Sequence, residues 1–154
     1  MGYHMCQCNC DFFMKKEGKA SALKAIQALD PDNGRGGRFE PETGKTESWF
    51  SWIDTDEYKN ATTLEEAVIA WRWELHGAVG GDVTSIYFDG EKLGDDEHLL
   101  MAIAPFVREG SWIEIEGEDE RWRWCFHGGE LHTITPTVIW PEVGQEGEGN
   151  DQTT

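Results

Sequence analysis

The sequence predicts an α+β fold, with about three helices packed on one face of a mostly antiparallel sheet. Three observations lead there. Some segments repeat their apolar residues every second position, as a half-buried strand does, and others repeat them every three to four, as an amphipathic helix does. The two kinds alternate, in the order β-α-β-α-β-α-β-β-β. Near the C-terminus, two period-two runs fit together in a register that satisfies both faces at once. The 154 residues suit one domain, placed here at 1–141, and eight Trp and seven Phe add large apolar area to a 38% hydrophobic composition.

Residues 3–14 alternate, with His4, Cys6, Cys8 and Cys10 on one side and Met5, Gln7 and Asn9 on the other, which predicts a strand. Residues 18–29 are rich in Ala and Lys and carry Leu23, Ile26 and Leu29 on one stripe beside Ala22, which predicts a helix. Residues 30–47 lose all periodicity. Their Asp-Pro, Gly-Gly and Pro41 signals predict a long flexible loop, whose Gly-Arg-Gly-Gly-Arg run resembles one unit of an RNA-binding Arg/Gly tract but reads first as a linker. Ser48–Ile53 is expected to be a short aromatic strand. Thr62 and Thr63 stand three residues before Glu65 and Glu66, a capping-box pattern, and Leu64, Ala67, Val68 and Trp71 follow on one stripe. The Gly-Gly at 80–81 separates this helix from a strand at Val83–Phe88. Asp95 or Asp96 is positioned to cap a third helix with the stripe Leu99, Leu100, Ile103 and Phe106, which Pro105 ends or kinks.

The last third is the most explicit. Residues 111–117 and 121–126 flank an acidic turn. Pairing 116 with 121 sets Glu114 opposite Arg123 and Glu116 opposite Arg121 on the wet face. The same register sets Ile113 opposite Trp124 and Ile115 opposite Trp122 on the dry face. Gly128-Gly129 turns the chain into a strand at 131–140. Residues 142–154 are acidic, hold Val143 as their one apolar residue, and read as a disordered tail.

Thirteen basic residues face thirty acidic ones, for a net charge of −17. Nearly all the imbalance lies after residue 30. Such a field opposes direct nucleic-acid binding and anionic membranes, which need Lys and Arg, and favours a basic protein partner. No apolar h-region opens the chain, and three of the four Cys crowd into positions 6–10, so a reducing, cytoplasmic compartment is expected.

His4, Cys6, Cys8 and Cys10 offer four zinc-type ligands. On a regular strand, alternate residues stand roughly 6.5–7 Å apart, whereas thiolates sharing one zinc lie within roughly 4 Å of each other. Core or half-buried strand positions are therefore the first reading of these cysteines, with a metal or redox role as the alternative. The acids of 89–98 could seat a divalent cation, but their spacing is not that of an EF-hand, and acids in a first helical turn serve the helix dipole. Trp71-Arg72-Trp73 and Trp122-Arg123-Trp124 echo each other; Arg with aromatics can stack on bases, while the hairpin register already commits Trp122 and Trp124 to the core. Part of the Trp complement is expected at a protein interface. His76, His98, His127 and His132 are read in loops or at strand ends; no nucleophile, phosphate-loop or metalloprotease motif appears, so no catalytic residue and no cofactor are assigned.

Several segments resemble a group of small uncharacterised proteins from bacteria and their phages. They are Met1-Gly2-Tyr3, Asp11-Phe12-Phe13, Phe50-Ser51-Trp52, Leu64-Glu65-Glu66-Ala67, Trp71-Arg72-Trp73, the run from Gly90 to Asp96, Ala104-Pro105-Phe106 and Trp122-Arg123-Trp124. The likeness spans most of residues 1–140 and leaves out the cysteine cluster and the 30–47 loop. It implies a phage or mobile-element setting and nothing about catalysis. The expectation is thus a binding protein that occupies the basic groove of a host nucleic-acid enzyme, such as a polymerase or a defence nuclease of the CRISPR-effector kind, by mimicking DNA charge. Its contact candidates are Asp89, Glu91, Asp95, Asp96, Glu97, Glu114, Glu116, Glu118, Asp119 and Glu120. The alternatives are a structural or regulatory homo-oligomer built on exposed Trp, and a metal-binding protein using His4, Cys6, Cys8 and Cys10 or the 89–98 acids.

Overall fold

The hairpin read from charge pairing forms in the expected register. In a computed structural model, described over residues 2–144, Glu114 pairs with Arg123, Glu116 with Arg121, Ile113 with Trp124 and Ile115 with Trp122. These strands, β6 (Trp112–Gly117) and β7 (Arg121–His127), are the centre of a four-stranded antiparallel sheet ordered β1-β6-β7-β8, with β1 at Met5–Asp11 and β8 at Glu130–Ile134. β8 stops six residues short of the expected strand at 131–140, because Pro136 has no N–H for a continued ladder.

The remaining strands form two separate hairpins, a correction to the single sheet expected. The 30–47 segment is one of them. β2 (Gly36–Glu40) and β3 (Lys45–Trp49) pair around a turn in which Gly44 takes φ +69° and its N–H bonds to Glu40 O at 2.9 Å. Nearly every residue of this hairpin is exposed, so neither face left an apolar alternation to read. The expected strand at Ser48–Ile53 ends at Trp49 and gives way to a turn with Trp52 at φ 63°. The other hairpin joins β4 (Trp73–Gly77) to β5 (Val83–Phe88). β4 was read as a continuation of the preceding helix. Arg72 at φ 72° ends that helix without the Gly or Pro that normally marks such a stop.

Four α-helices lie among the described residues rather than three: α1 (Lys19–Gln27), α2 (Thr55–Lys59), α3 (Leu64–Ala70) and α4 (Asp96–Ile103). The element order is therefore β-α-β-β-α-α-β-β-α-β-β-β. α2 is a five-residue turn of helix, too short to show a period, capped by Asp54, whose carboxylate accepts from the N–H groups of Asp56 and Glu57. The cap of α3 is as read: Thr63 accepts from Glu66 N, while the Glu66 carboxylate accepts from Thr62 N and Oγ1. Its stripe of Leu64, Ala67, Val68 and Trp71 is buried. α4 buries Leu99, Leu100 and Ile103 and passes into a short 3₁₀ turn at Ala104–Phe106, which contains Pro105.

The core lies between these helices and the inner face of the sheet, where Met5, Ile113, Ile115, Trp122, Trp124 and Phe126 are all buried. Trp73 bridges the two, its ring 6.2 Å from Trp124 and 5.0 Å from Phe88. One polar side chain fastens β5 to the sheet. Gln7 donates from Nε2 to Ile86 O (2.9 Å) and accepts at Oε1 from Phe88 N (2.8 Å), so its amide stands in for a strand's backbone. No helix is long and apolar enough to cross a membrane among the described residues. Of the expected tail, 145–154 lies outside the described residues.

Candidate functional site

The segment from Gly90 to Asp96, expected to show carboxylates to a partner, turns two of them inward. Asp95 is 3% exposed and Asp96 0%. Asp96 accepts from Arg72 Nη2 (3.0 Å), Trp73 Nε1 (2.9 Å) and Gly94 N (2.8 Å). Arg72 also donates to Lys92 O and lies between the rings of Trp52 and Phe88, 5.2 and 5.3 Å from their centroids. The backbone at Arg72 is in the left-handed region, at a cost of about 1 kcal/mol for a residue with a Cβ. That conformation carries the guanidinium back under the 90–96 loop. A Cβ at Gly94 would stand 3.0 Å from both Arg72 Nη2 and Trp52 Cε3, so any larger residue there would press on the Arg72 and Trp52 side chains.

Asp95 occupies the N-cap position of α4 but does not cap it. Its carboxylate accepts from Arg35 N (3.0 Å), Arg35 Nε (2.8 Å) and Ser51 N (2.8 Å), tying the start and the end of the β2–β3 segment to α4. Burial pushes its pKa up, but the Ser51 and Arg35 N–H groups and the Arg35 guanidinium outweigh burial and hold it below the ordinary carboxylate value. A depressed folded-state pKa gives stability that is present above the unfolded value, about 3.9, and is lost as pH falls through the folded one. Asp95→Asn is therefore expected to melt below wild type at neutral pH, with the gap closing below about pH 4. Thermal melts across that range check it; a constant gap would assign the loss to shape rather than charge. Asp95 and Asp96 are thus corrected from contact residues to buried anchors.

Glu114 and Glu116 are matched by cations on the outer face of the sheet. Arg123 and Arg121 reach Glu114 at 3.0 and 3.3 Å, Arg121 reaches Glu116 at 3.3 Å, and Arg123 stacks 3.9 Å from the Trp112 ring centroid. That face is charge-balanced, so these two acids present little net field.

Five of the remaining contact candidates, Glu91, Glu97, Glu118, Asp119 and Glu120, are exposed and gather at one end. Met5 N bonds to Glu91 O and Leu93 N to Tyr3 O, while His4 N bonds to the Glu118 carboxylate and the Tyr3 hydroxyl donates to Asp119 Oδ1 at 2.6 Å. Residues 3–5 therefore hold the 91–93 loop on one side and the 118–119 turn on the other. Gly117 permits this, because a Cβ there would meet the Tyr3 ring at 2.4 Å. The Asp119 carboxylate, as acceptor of its hydroxyl hydrogen, raises the Tyr3 pKa. Beside Tyr3 opens a recess of about 270 Å³, floored by Trp122 and Trp124, with Glu97 and Glu120 at its wall and Thr133 beyond. Glu97 is held there by Trp124 Nε1 at 3.2 Å. Of the predicted contacts, the structure brings Glu91, Glu97, Glu118, Asp119 and Glu120 to this end, and Asp89 is exposed two residues before Glu91. The recess itself was not read, since nothing in local sequence pairs Glu97 with the floor formed by Trp122 and Trp124.

The cysteines do not share a side as expected. A bulge between Gln7 and Asn9 shifts the register, so Cys6 lies opposite Glu116 on the outer face and Cys10 opposite Ile113 on the inner one. Cys6 and Cys8 are exposed rather than in the core. Partial desolvation, joined by Glu116 and Glu114, outweighs Arg121 and raises the Cys8 pKa, which disfavours the thiolate that a metal or a redox partner needs. No group of three or more His, Cys, Asp or Glu is placed to hold a metal ion among the described residues. His76 sits at the end of β4 as expected, whereas His98 lies within α4 and packs 5.1 Å from the Phe50 ring. Comparison of the chain with protein-family models, with curated proteins and with solved structures finds no match.

Proposed function

We propose that the protein is a binding module that captures a basic protein partner at its acidic end, taking an Arg or Lys side chain into the recess beside Tyr3. One observation carries this reading: two carboxylates, Glu97 and Glu120, and the aromatic residues Tyr3, Trp122 and Trp124 line one concave space. An Arg fits that chemistry in both respects, since its planar cation stacks on aromatic rings and its N–H groups pair with carboxylates. Glu91, Glu118 and Asp119 extend the acidic field around the recess and steer a positively charged surface toward it. A nucleic-acid enzyme offers such a surface in the groove that binds phosphates. A host polymerase or defence nuclease is the partner class this reading favours, in keeping with the phage-like segments of the sequence.

The test is titration with a fluorescent Arg-rich peptide, followed by capture from host lysate with competing duplex DNA. Glu97→Lys with Glu120→Lys is expected to weaken peptide binding about tenfold or more, and raised salt to weaken it further by screening. Captured nucleic-acid enzymes should be released by the duplex. Peptide binding that survives both the substitutions and high salt would exclude the recess as the site.

A further inference from the structure

The two edges of the four-stranded sheet are finished differently. β1 is bulged at Cys8, and its Gln7 amide is spent on the backbone of β5. Edges guarded in this way resist further pairing. β8 has no such guard. Its register with β7 runs unbroken from Arg123↔Ile134 to His127↔Glu130, and it contains no Lys, no Arg and no Pro. Beyond it, Val138, Ile139 and Trp140 are 70%, 81% and 86% exposed, and Ile134 is 54% exposed. Val138, Ile139 and Trp140 are strand-forming residues that pair with no strand among the described residues, and Ile134 has its backbone in the β7 ladder but its side chain half in water.

Charge selects the occupant. In a chain of net charge −17, the eleven residues from Leu131 to Pro141 carry no Asp, Glu, Lys or Arg. This is a surface on which two acidic copies can meet without opposing carboxylates. We propose that β8 pairs antiparallel with β8 of a second copy, continuing the sheet across a twofold axis. A register centred on Thr133 sets His132 opposite Ile134 and Leu131 opposite Thr135 of the other copy. It sets Glu130 opposite Pro136, where no N–H is needed from the proline. The two Glu130 carboxylates then stand roughly 20 Å apart, at about 3.4 Å per residue, which exceeds the Debye length of about 8 Å at physiological salt. The segment 137–140 of each copy continues past the other's Glu130 toward its Gly128-Gly129 turn, bringing Val138, Ile139 and Trp140 out of water. The pairing is isologous and closes at two copies.

Salt separates this inference from partner capture, since screening weakens attraction to a basic protein and strengthens association of two like-charged copies. Sedimentation of the full chain over a concentration series at low and high salt is expected to show a monomer–dimer equilibrium that moves toward dimer as salt rises. Hydrogen exchange should slow at the amides of 131–135 in step with dimer formation. Ile134→Lys and Trp140→Glu, both at exposed positions, are expected to raise the dissociation constant about tenfold or more while leaving the circular dichroism and melting of the monomer unchanged. A wild-type chain of 17.5 kDa at every concentration and salt would overturn the proposal. So would a dimer whose β8 amides exchange at the monomer's rate, or one that both substitutions leave intact.

Discussion

Asp96→Ala is expected to destabilise the protein by about 3–5 kcal/mol, the usual result of removing one partner of a buried ion pair. The residue is wholly buried, and three separate donors converge on it: Arg72 Nη2, Trp73 Nε1 and Gly94 N. The variant keeps the Arg72 cation, 17% exposed, and leaves the indole and the Gly94 N–H without an acceptor. Urea unfolding followed by circular dichroism would show the midpoint fall by roughly 1–5 M, for a slope of about 1–3 kcal/mol per M. A second variant separates charge from packing. Arg72→Met combined with Asp96→Leu removes both charges and is expected to recover part of the loss. If the single variant loses less than about 1 kcal/mol, the carboxylate is not what holds the 90–96 loop against Arg72.

Trp124→Ala ranks second, with an expected loss of about 3–5 kcal/mol from a cavity that its neighbours cannot refill. Trp124 is 1% exposed, with Trp122 and Trp73 at 5.7 and 6.2 Å between ring centroids. It joins the sheet to the β4–β5 hairpin and positions Glu97 through its indole N–H. Trp124→Phe keeps the aromatic contacts and gives up the N–H. It is expected to cost much less stability, yet to weaken Arg-peptide binding through a freed Glu97. Denaturation of both variants beside peptide titration of the Phe variant tests the two roles separately. Equal stability losses for Ala and Phe would mean that the hydrogen bond, not the packing, dominates.

What was legible in the sequence followed from periodicity and short-range chemistry. Glu114, Glu116, Arg121 and Arg123 reported the β6–β7 register because cross-strand neighbours lie only a few residues apart. The α3 cap and stripe were legible for the same reason, as was the α4 stripe. The β2–β3 hairpin was not, because a strand wet on both faces has no period to show. The α3–β4 boundary was hidden by Arg72, whose left-handed backbone is held by tertiary contacts with Asp96, Trp52 and Phe88. The inward turn of Asp95 and Asp96 was hidden too. Acids ahead of a helix look like caps whether they bind its first N–H groups or, as here, the neighbouring Gly94 N–H together with donors 23 to 60 residues away in the chain.

The tie between the first strand and the 117–119 turn also sets a timetable. Tyr3 and Asp119 are 116 residues apart in the chain, and among the described residues β1 has no ladder partner other than β6. At about 5–20 residues per second, a ribosome that has released Tyr3 needs roughly 6–23 s more to make Asp119 available. Through that interval β1 waits unpaired, with Cys6, Cys8 and Cys10 open to oxidants and its edge open to other nascent chains. The acidic end forms late relative to its own first strand, because it exists only once residues 3–5 meet a turn made 116 residues after Tyr3.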